Sequence, residues 1–184
     1  MLRFIAVLLA VLFATQAHAT EAGWALLREG GHVVLLRHAN APGAAEPANF
    51  DIANCATQRN LSDRGRQQAR RIGALFAARA APVDRVLASN YCRTRDTAVL
   101  AFGASLVETY ESLDFRPGDE EGNAEKASEL TKFILDYTES GNLVMVVNEE
   151  VVDRLLGVRP REGEAIIVGH DGENLRVAGR IRFN

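Results

Sequence analysis

The sequence has few of the residues that build metal and redox centres. Only two of its 184 residues are cysteine and only four are histidine. Cys55 and Cys92 do not form a CxxC redox motif, and neither has the histidine and cysteine neighbours that a zinc site needs. We therefore expect no metal ion and no other cofactor.

An excess of positive charge and a second long apolar segment are also lacking. The formal net charge is −3 at pH 7, so the chain is a poor candidate for general nucleic-acid binding, and its basic residues are better interpreted as local features of a site. The apolar run from Phe4 to Ala14 is shorter than the roughly 20 residues that a spanning helix needs, and no later segment approaches that length. We expect neither a nucleic-acid partner nor stable membrane insertion.

The first 19 residues have the three parts of an export signal. Arg3 supplies the positive end, the apolar run follows it, and Ala17-His18-Ala19 has the small residues of a cleavage site. We predict cleavage after Ala19, which leaves residues 20–184 as a single domain of a secreted, periplasmic protein. A retained N-terminal anchor is the alternative, and the intact mass of the exported protein distinguishes the two.

An oxidising compartment would allow the two cysteines to pair. On the chain-entropy account, closing a loop of this size stabilises the fold by roughly 3 to 4 kcal/mol. Two separate buried thiols that pack as small apolar groups are the alternative. We favour a disulfide between Cys55 and Cys92.

Strand-like and helix-like segments alternate along the chain. Short apolar runs between turn residues predict strands, and apolar residues at helical spacing predict helices. The predicted strands cover residues 33–36, 83–88, 106–109, 143–147, 165–168 and 175–181, and the predicted helices cover 24–29, 63–80, 94–102, 124–139 and 151–156. This alternation indicates the α/β class, and we predict a three-layer αβα sandwich with a mostly parallel central sheet.

Three basic side chains follow the predicted strands at positions suited to a ligand. Arg37 and His38 come directly after the first strand, and Arg93 follows the second. The carboxyl ends of parallel strands meet at one edge of a sheet, where such sheets bind ligands. A guanidinium group can donate two parallel hydrogen bonds to two oxygens of one phosphate. A neutral imidazole has the lone pair that an attack on phosphorus needs. We interpret the two arginines as a phosphate clamp and His38 as the nucleophile between them.

Four stretches in chain order carry a family resemblance. They are LLRHA at residues 35–39, QRNLSDRGRQQA at 58–69, SNYCRTRDTA at 89–98 and GEAIIV at 163–168. Together they resemble the histidine phosphatase superfamily, also called phosphoglycerate mutase-like. The residues of these motifs are most similar to those of small secreted bacterial members. The resemblance extends over most of the chain after residue 19.

The resemblance implies a reaction and assigns roles to residues. It implies that His38 accepts a phosphoryl group, which water then releases, and that Arg37 and Arg93 bind the phosphate. Arg59 matches a further substrate contact, with a structural role at the head of the following helix as an equal alternative. The acid that protonates the leaving oxygen falls among four carboxylates, of which Asp114 and Glu111 are the first choices because they closely follow the third strand; Asp119 and Glu120 are the others.

One position departs from the family pattern. Where a second histidine normally follows the strand predicted at residues 143–147, this chain has Asn148. An asparagine amide donates a hydrogen bond but is never cationic. Loss of one donor to transition-state charge typically costs about 100-fold to 1000-fold in rate, so we expect reduced activity rather than none. Glu149 would weaken anion binding further if its carboxylate points inward.

We therefore predict an exported phosphatase that hydrolyses phosphomonoesters through a phosphohistidine, without a metal. Its substrate would be the phosphate ester of a small molecule or glycan, for example an envelope sugar or lipopolysaccharide phosphate. The alternative is a catalytically silent relative that binds phosphate or anionic glycans, which Asn148 motivates.

Overall fold

The computed structural model describes residues 20–183, so the predicted signal peptide at residues 1–19 lies outside the described residues. The strands are β1 (Val33–Arg37), β2 (Val83–Ala88), β3 (Val107–Thr109), β4 (Asn142–Val147), β5 (Glu164–His170) and β6 (Leu175–Arg182). The helices are α1 (residues 20–29), α2 (Asp63–Ala78), α3 (Cys92–Phe102), α4 (Glu120–Leu135) and α5 (Glu149–Leu156). None of these helices is long and apolar enough to cross a membrane.

One mixed sheet runs through the molecule in the strand order β3-β2-β4-β1-β5-β6. β1, β2 and β3 join β4 in a parallel array, whereas β5 and β6 add an antiparallel edge beside β1. In this array Arg37 at the end of β1 pairs with Val147 of β4, and Ala88 of β2 pairs with Val146. The mostly parallel sheet is confirmed, and the ends of β1, β2 and β4 lie side by side.

The sheet is buried on both faces because its apolar side chains alternate in direction. Val34 and Leu36 of β1 pack towards α1, α2 and α3, and Leu35 packs towards α4 and α5. All three are fully buried, and each such side chain contributes roughly 1.5 to 3 kcal/mol. The two cores on either side of the sheet confirm the three-layer sandwich.

The helices on the α4 and α5 face begin earlier than their apolar residues predict. Asp119 caps α4 by accepting a hydrogen bond from the backbone N–H of Gly122, so this helix starts at Glu120 and not near residue 124. α5 starts at Glu149, directly after Asn148. In both helices the first turn carries glutamates, which the positive end of the helix dipole favours. Polar residues that look like loop residues in the sequence thus belong to helix starts.

The loop after β1 is held against the start of α2. The side chain of Ser62 caps α2 through the backbone N–H of Gly65 (3.0 Å), as the sequence predicts, and also donates to Oδ1 of Asn40 (2.6 Å). Gly65 packs so closely on the backbone of Asn40 that a Cβ at this position would collide with it. The glycine is therefore needed for the close approach of loop and helix.

The structure pairs Cys55 and Cys92 in the expected disulfide, with their Cα atoms 5.7 Å apart. Cys55 lies in a short 3-10 turn near the end of the β1 loop, and Cys92 is the first residue of α3. The disulfide therefore ties the loop to the helix that carries Arg93.

Candidate active site

A cavity of about 550 Å³ opens where β1, β2 and β4 end. Six residues singled out in the sequence line it, namely Arg37, His38, Arg59, Arg93, Asn148 and Glu149. β1 delivers the first two, α3 delivers Arg93 from its first turn, and Asn148 follows β4. The parallel arrangement thus brings together side chains that lie up to 112 positions apart in the chain.

The ring of His38 is buried and oriented by its own backbone. The residue is 2 % exposed, and its Nδ1 lies 2.7 Å from the carbonyl oxygen of Ala39. Because a carbonyl can only accept a hydrogen bond, Nδ1 carries the proton and Nε2 keeps a free lone pair. Burial and then the positive charge of Arg93 lower the pKa of His38 to about 3, so the ring is neutral at neutral pH.

The guanidinium of Arg93 is held on three sides. Its Nε donates to Oδ1 of Asn148 (2.9 Å), its Nη1 donates to Oε1 of Glu46 (2.6 Å), and its plane lies over the ring of Tyr91 at 4.6 Å. The Nη2 of Arg93 donates no hydrogen bond to any residue in the range 20–183. Arg93 is therefore fixed in place and keeps one edge for a ligand.

Arg37 and Arg59 each keep a buried donor without a partner. Nη1 of Arg37 binds the carboxylate of Glu149 and the carbonyl oxygen of Pro160 (2.7 Å), and Nη1 of Arg59 donates to Gly43 (2.7 Å). The Nε atoms of both arginines are buried and unpaired among the described residues. Buried donors are rarely left unpaired, so two of them beside one cavity indicate an anionic ligand.

Asn148 occupies the position of the expected second histidine. Its Oδ1 is committed to Arg93, so only the Nδ2 amide remains to donate to a ligand. Neither His32 nor His170 lines the cavity, and among residues 20–183 His38 is the only histidine that does. The structure thus places a neutral donor at this corner of the site.

Neither Asp114 nor Glu111 lines the cavity, contrary to their selection as proton donors. Asp114 is buried and accepts hydrogen bonds from the backbone N–H (2.6 Å) and the side chain (2.7 Å) of Asn90. Burial raises the pKa of this carboxyl, and its hydrogen bonds connect the end of the 3-10 turn Glu111–Leu113 to Asn90. Glu111 is exposed in that turn. Proximity to β3 in the sequence does not bring either group to the site.

The carboxylates that do line the cavity are Glu46, Glu149 and Glu150. Glu46 comes from the β1 loop, where its Oε2 also accepts from the backbone N–H of Arg59 (3.0 Å). Glu149 points inward and pairs with Arg37, so it competes with an anion for that arginine. Of these three carboxylates, only Glu149 could be singled out from the sequence, because it directly follows Asn148.

Replacement of Glu149 by glutamine should tighten anion binding. The change removes the negative charge that pairs with Arg37 and leaves the shape of the side chain almost intact. Because the ion pair is partly exposed, we expect the Kd for inorganic phosphate to fall by about 3-fold to 10-fold in titration calorimetry. The exposed Glu173→Gln is the control, and weaker binding by Glu149→Gln would mean that Glu149 positions Arg37 for the ligand.

Solved structures with this fold include several phosphoryl-transfer enzymes. Phosphoglycerate mutase from Thermus thermophilus is 19 % identical, with a TM-score of 0.58 over 83 % of this chain and 99 % of that chain. Phosphoserine phosphatase from Entamoeba histolytica, in complex with 3-phosphoglyceric acid, is 14 % identical, with a TM-score of 0.59 over 82 % and 96 %. The protein histidine phosphatase SixA complexed with tungstate is 16 % identical, with a TM-score of 0.54 over 82 % and 96 %.

A comparison with curated proteins finds no match to the sequence. The sequence pattern of the histidine phosphatase superfamily (branch 1) matches residues 33–172, a span that starts at β1 and ends in the turn after β5. The chain therefore belongs to the histidine phosphatase superfamily.

Proposed function

We propose that this protein hydrolyses phosphate monoesters through a phosphohistidine on His38. The observation that carries the proposal is the neutral, oriented imidazole in a cavity that three arginines also line, namely Arg37, Arg59 and Arg93. The phosphate group supplies acceptor oxygens for their guanidinium groups, and Nε2 of His38 supplies the electron pair for phosphorus.

The reaction proceeds in two transfers. Nε2 of His38 attacks phosphorus, the ester P–O bond breaks, and the alcohol leaves with a proton. Water then attacks the phosphohistidine, the P–N bond breaks, and inorganic phosphate leaves. Arg37, Arg59 and Arg93 balance the negative charge on the phosphoryl oxygens in both steps, and fixed donors of this kind usually account for more of an enzyme's rate acceleration than any other single effect.

The decisive first measurement is turnover. The protein comprising residues 20–184 should release phosphate from p-nitrophenyl phosphate, and rapid quenching into alkali should trap an acid-labile phosphate on the peptide that contains His38. Inorganic vanadate should inhibit by occupying the same cavity. Phosphate binding without turnover or labelling would support the silent binding protein instead.

Asn148 should limit the rate, and its replacement by histidine should raise it. The new ring would present a second nitrogen donor that carries positive charge when protonated, whereas the amide is always neutral. We expect kcat on p-nitrophenyl phosphate to rise by about 10-fold or more. Asn148→Ala should lower kcat, because it removes both the acceptor for Arg93 and the donor to the ligand.

The two Asn148 variants also separate the two candidate functions. An unchanged rate in Asn148→His would refute the account of this position. If the wild-type protein is inactive and the Asn148→His variant gains turnover, the natural protein is a phosphate-binding relative. Its lack of catalysis would then be due to the residue at position 148.

The export and the substrate are part of the same proposal. The signal-like residues 1–19 support export to the periplasm, and a disulfide suits an oxidising compartment. An exported phosphatase would act on phosphate esters of small molecules or glycans in the cell envelope, such as sugar or lipopolysaccharide phosphates. Release of phosphate from purified lipopolysaccharide, compared with free sugar phosphates, tests this substrate class.

A further inference from the structure

The cavity that contains His38 is called the phosphate cavity below. A second cavity of about 520 Å³ lies directly beside it. Three residues line both of them, namely Phe115, Pro117 and Glu150. The second cavity lies between the segment before α4 and the exposed side of α5. A phosphate ester with its phosphoryl group at His38 would therefore extend its alcohol portion into this space.

Glu150 differs from the other two carboxylates of the phosphate cavity. Glu46 and Glu149 are each paired with an arginine that faces the ligand. Glu150 makes no hydrogen bond and no ion pair with any residue in the range 20–183, and its side chain is exposed. It also lies close enough to Tyr91, beneath Arg93, for its charge to act on the phenol. Glu150 is thus an unpaired carboxyl group at the boundary of the two cavities.

We propose that the second cavity binds the leaving group and that Glu150 is the residue that protonates it. This inference rests on the proposed function. The oxygen that joins phosphorus to the alcohol must lie between the two cavities, and Glu150 is the unpaired carboxylic acid that both of them share. Proximity of a proton donor to that oxygen is the first requirement of general acid catalysis.

The step balances with groups already in the site. As Nε2 of His38 bonds to phosphorus, the P–O bond breaks and its electron pair takes the proton from the Glu150 carboxyl, so the alcohol leaves neutral. The resulting Glu150 carboxylate then removes a proton from the attacking water. The P–N bond breaks, and Glu150 regains its proton for the next cycle.

The lining of the second cavity indicates the kind of alcohol that fits. Most of its side chains are polar or charged, including Arg116, Asn123, Asp153 and Arg154. Its apolar side chains are Phe115 and Pro117. Such a lining favours a hydroxyl-rich leaving group, such as a polyol or sugar, over an aromatic or hydrocarbon alcohol.

The test varies the leaving group. A p-nitrophenolate departs without a proton, whereas the alkoxide of glycerol 3-phosphate needs one. Glu150→Gln should therefore lower kcat/KM for glycerol 3-phosphate by about 100-fold or more, while kcat/KM for p-nitrophenyl phosphate, which reports only the transfer to His38, stays near the wild-type value. In a series from p-nitrophenyl to phenyl phosphate, the fall in kcat/KM with rising leaving-group pKa should become steeper in the variant.

Three variants complete the comparison. Glu125→Gln on the exposed side of α4 is the matched control and should behave as wild type, whereas Glu150→Asp should recover part of the lost activity. An equal loss of kcat/KM on all substrates, or no loss on any, would overturn the assignment of Glu150. Selective loss in Glu111→Gln instead would restore the acid chosen from the sequence. A wild-type protein without turnover and without phosphohistidine would refute the proposed function itself.

Discussion

Replacement of His38 by alanine is expected to abolish both phosphate-ester hydrolysis and acid-labile phosphorylation of the protein. Among the described residues that line the cavity, His38 supplies the only imidazole, and water cannot form the covalent intermediate in its place. Loss of a nucleophile that acts together with its neighbours typically removes most of the rate acceleration, so we expect kcat to fall by about 10,000-fold or more.

The control for this variant is His170→Ala. His170 ends β5 on the surface and does not line the cavity, so its loss should leave hydrolysis and labelling unchanged. Inorganic phosphate should still bind to His38→Ala, because the arginines remain. A radioactive phosphoryl label that persists in His38→Ala would contradict the proposed intermediate.

The low pKa of His38 adds a pH dependence to the same experiment. Since burial and Arg93 lower this pKa to about 3, the ring stays unprotonated and nucleophilic as the pH falls below neutrality. Labelling of wild-type protein should therefore persist at about pH 5, where an ordinary histidine is mostly protonated. A loss of labelling that follows a pKa near 6.5 would show that the imidazole is more solvated than its position implies.

Removal of the disulfide is expected to have the largest effect on stability. Cys55 and Cys92 are 37 positions apart, and a crosslink over such a loop restricts the unfolded chain by about 3 to 4 kcal/mol. The double variant Cys55→Ser with Cys92→Ser should lose that amount in chemical denaturation. It should also lose activity, because the loop carries Glu46, which holds Arg93.

A reductant provides the matched control for the disulfide. It should lower the denaturation midpoint of wild-type protein to that of the double serine variant and leave the variant itself unchanged. Equal midpoints for all four samples would contradict a stabilising crosslink. A lower midpoint with full activity would mean that the loop keeps its place over the cavity without the disulfide.

Much of the fold could be predicted because its signals are local. The apolar run before Arg37 predicts a buried strand, and Ser62 predicts the start of α2, since both depend on the chemistry of a few adjacent residues. The starts of α4 and α5 were less accessible, because their first turns consist of acidic residues that a loop could equally contain.

The residues of the candidate site were likewise only partly predictable from the sequence. Arg37, His38 and Arg93 could be identified because each follows a strand, and parallel strands end together. The carboxylates could not be assigned in this way. Asp114 follows closely after β3 in the sequence, yet its hydrogen bonds to Asn90 hold it inside the fold.

The order of residues along the chain was enough to specify the α/β class, the superfamily and the candidate nucleophile with its arginines. It also identified Asn148 as the residue in place of the family's second histidine. These depend on the pattern within single strands and on motifs whose chemistry is local. The folded chain alone reveals which carboxylates reach the cavity, which arginines keep a free donor and which cavity adjoins the phosphate. Those features depend on side-chain directions and on contacts between segments far apart in the chain, which no local pattern specifies.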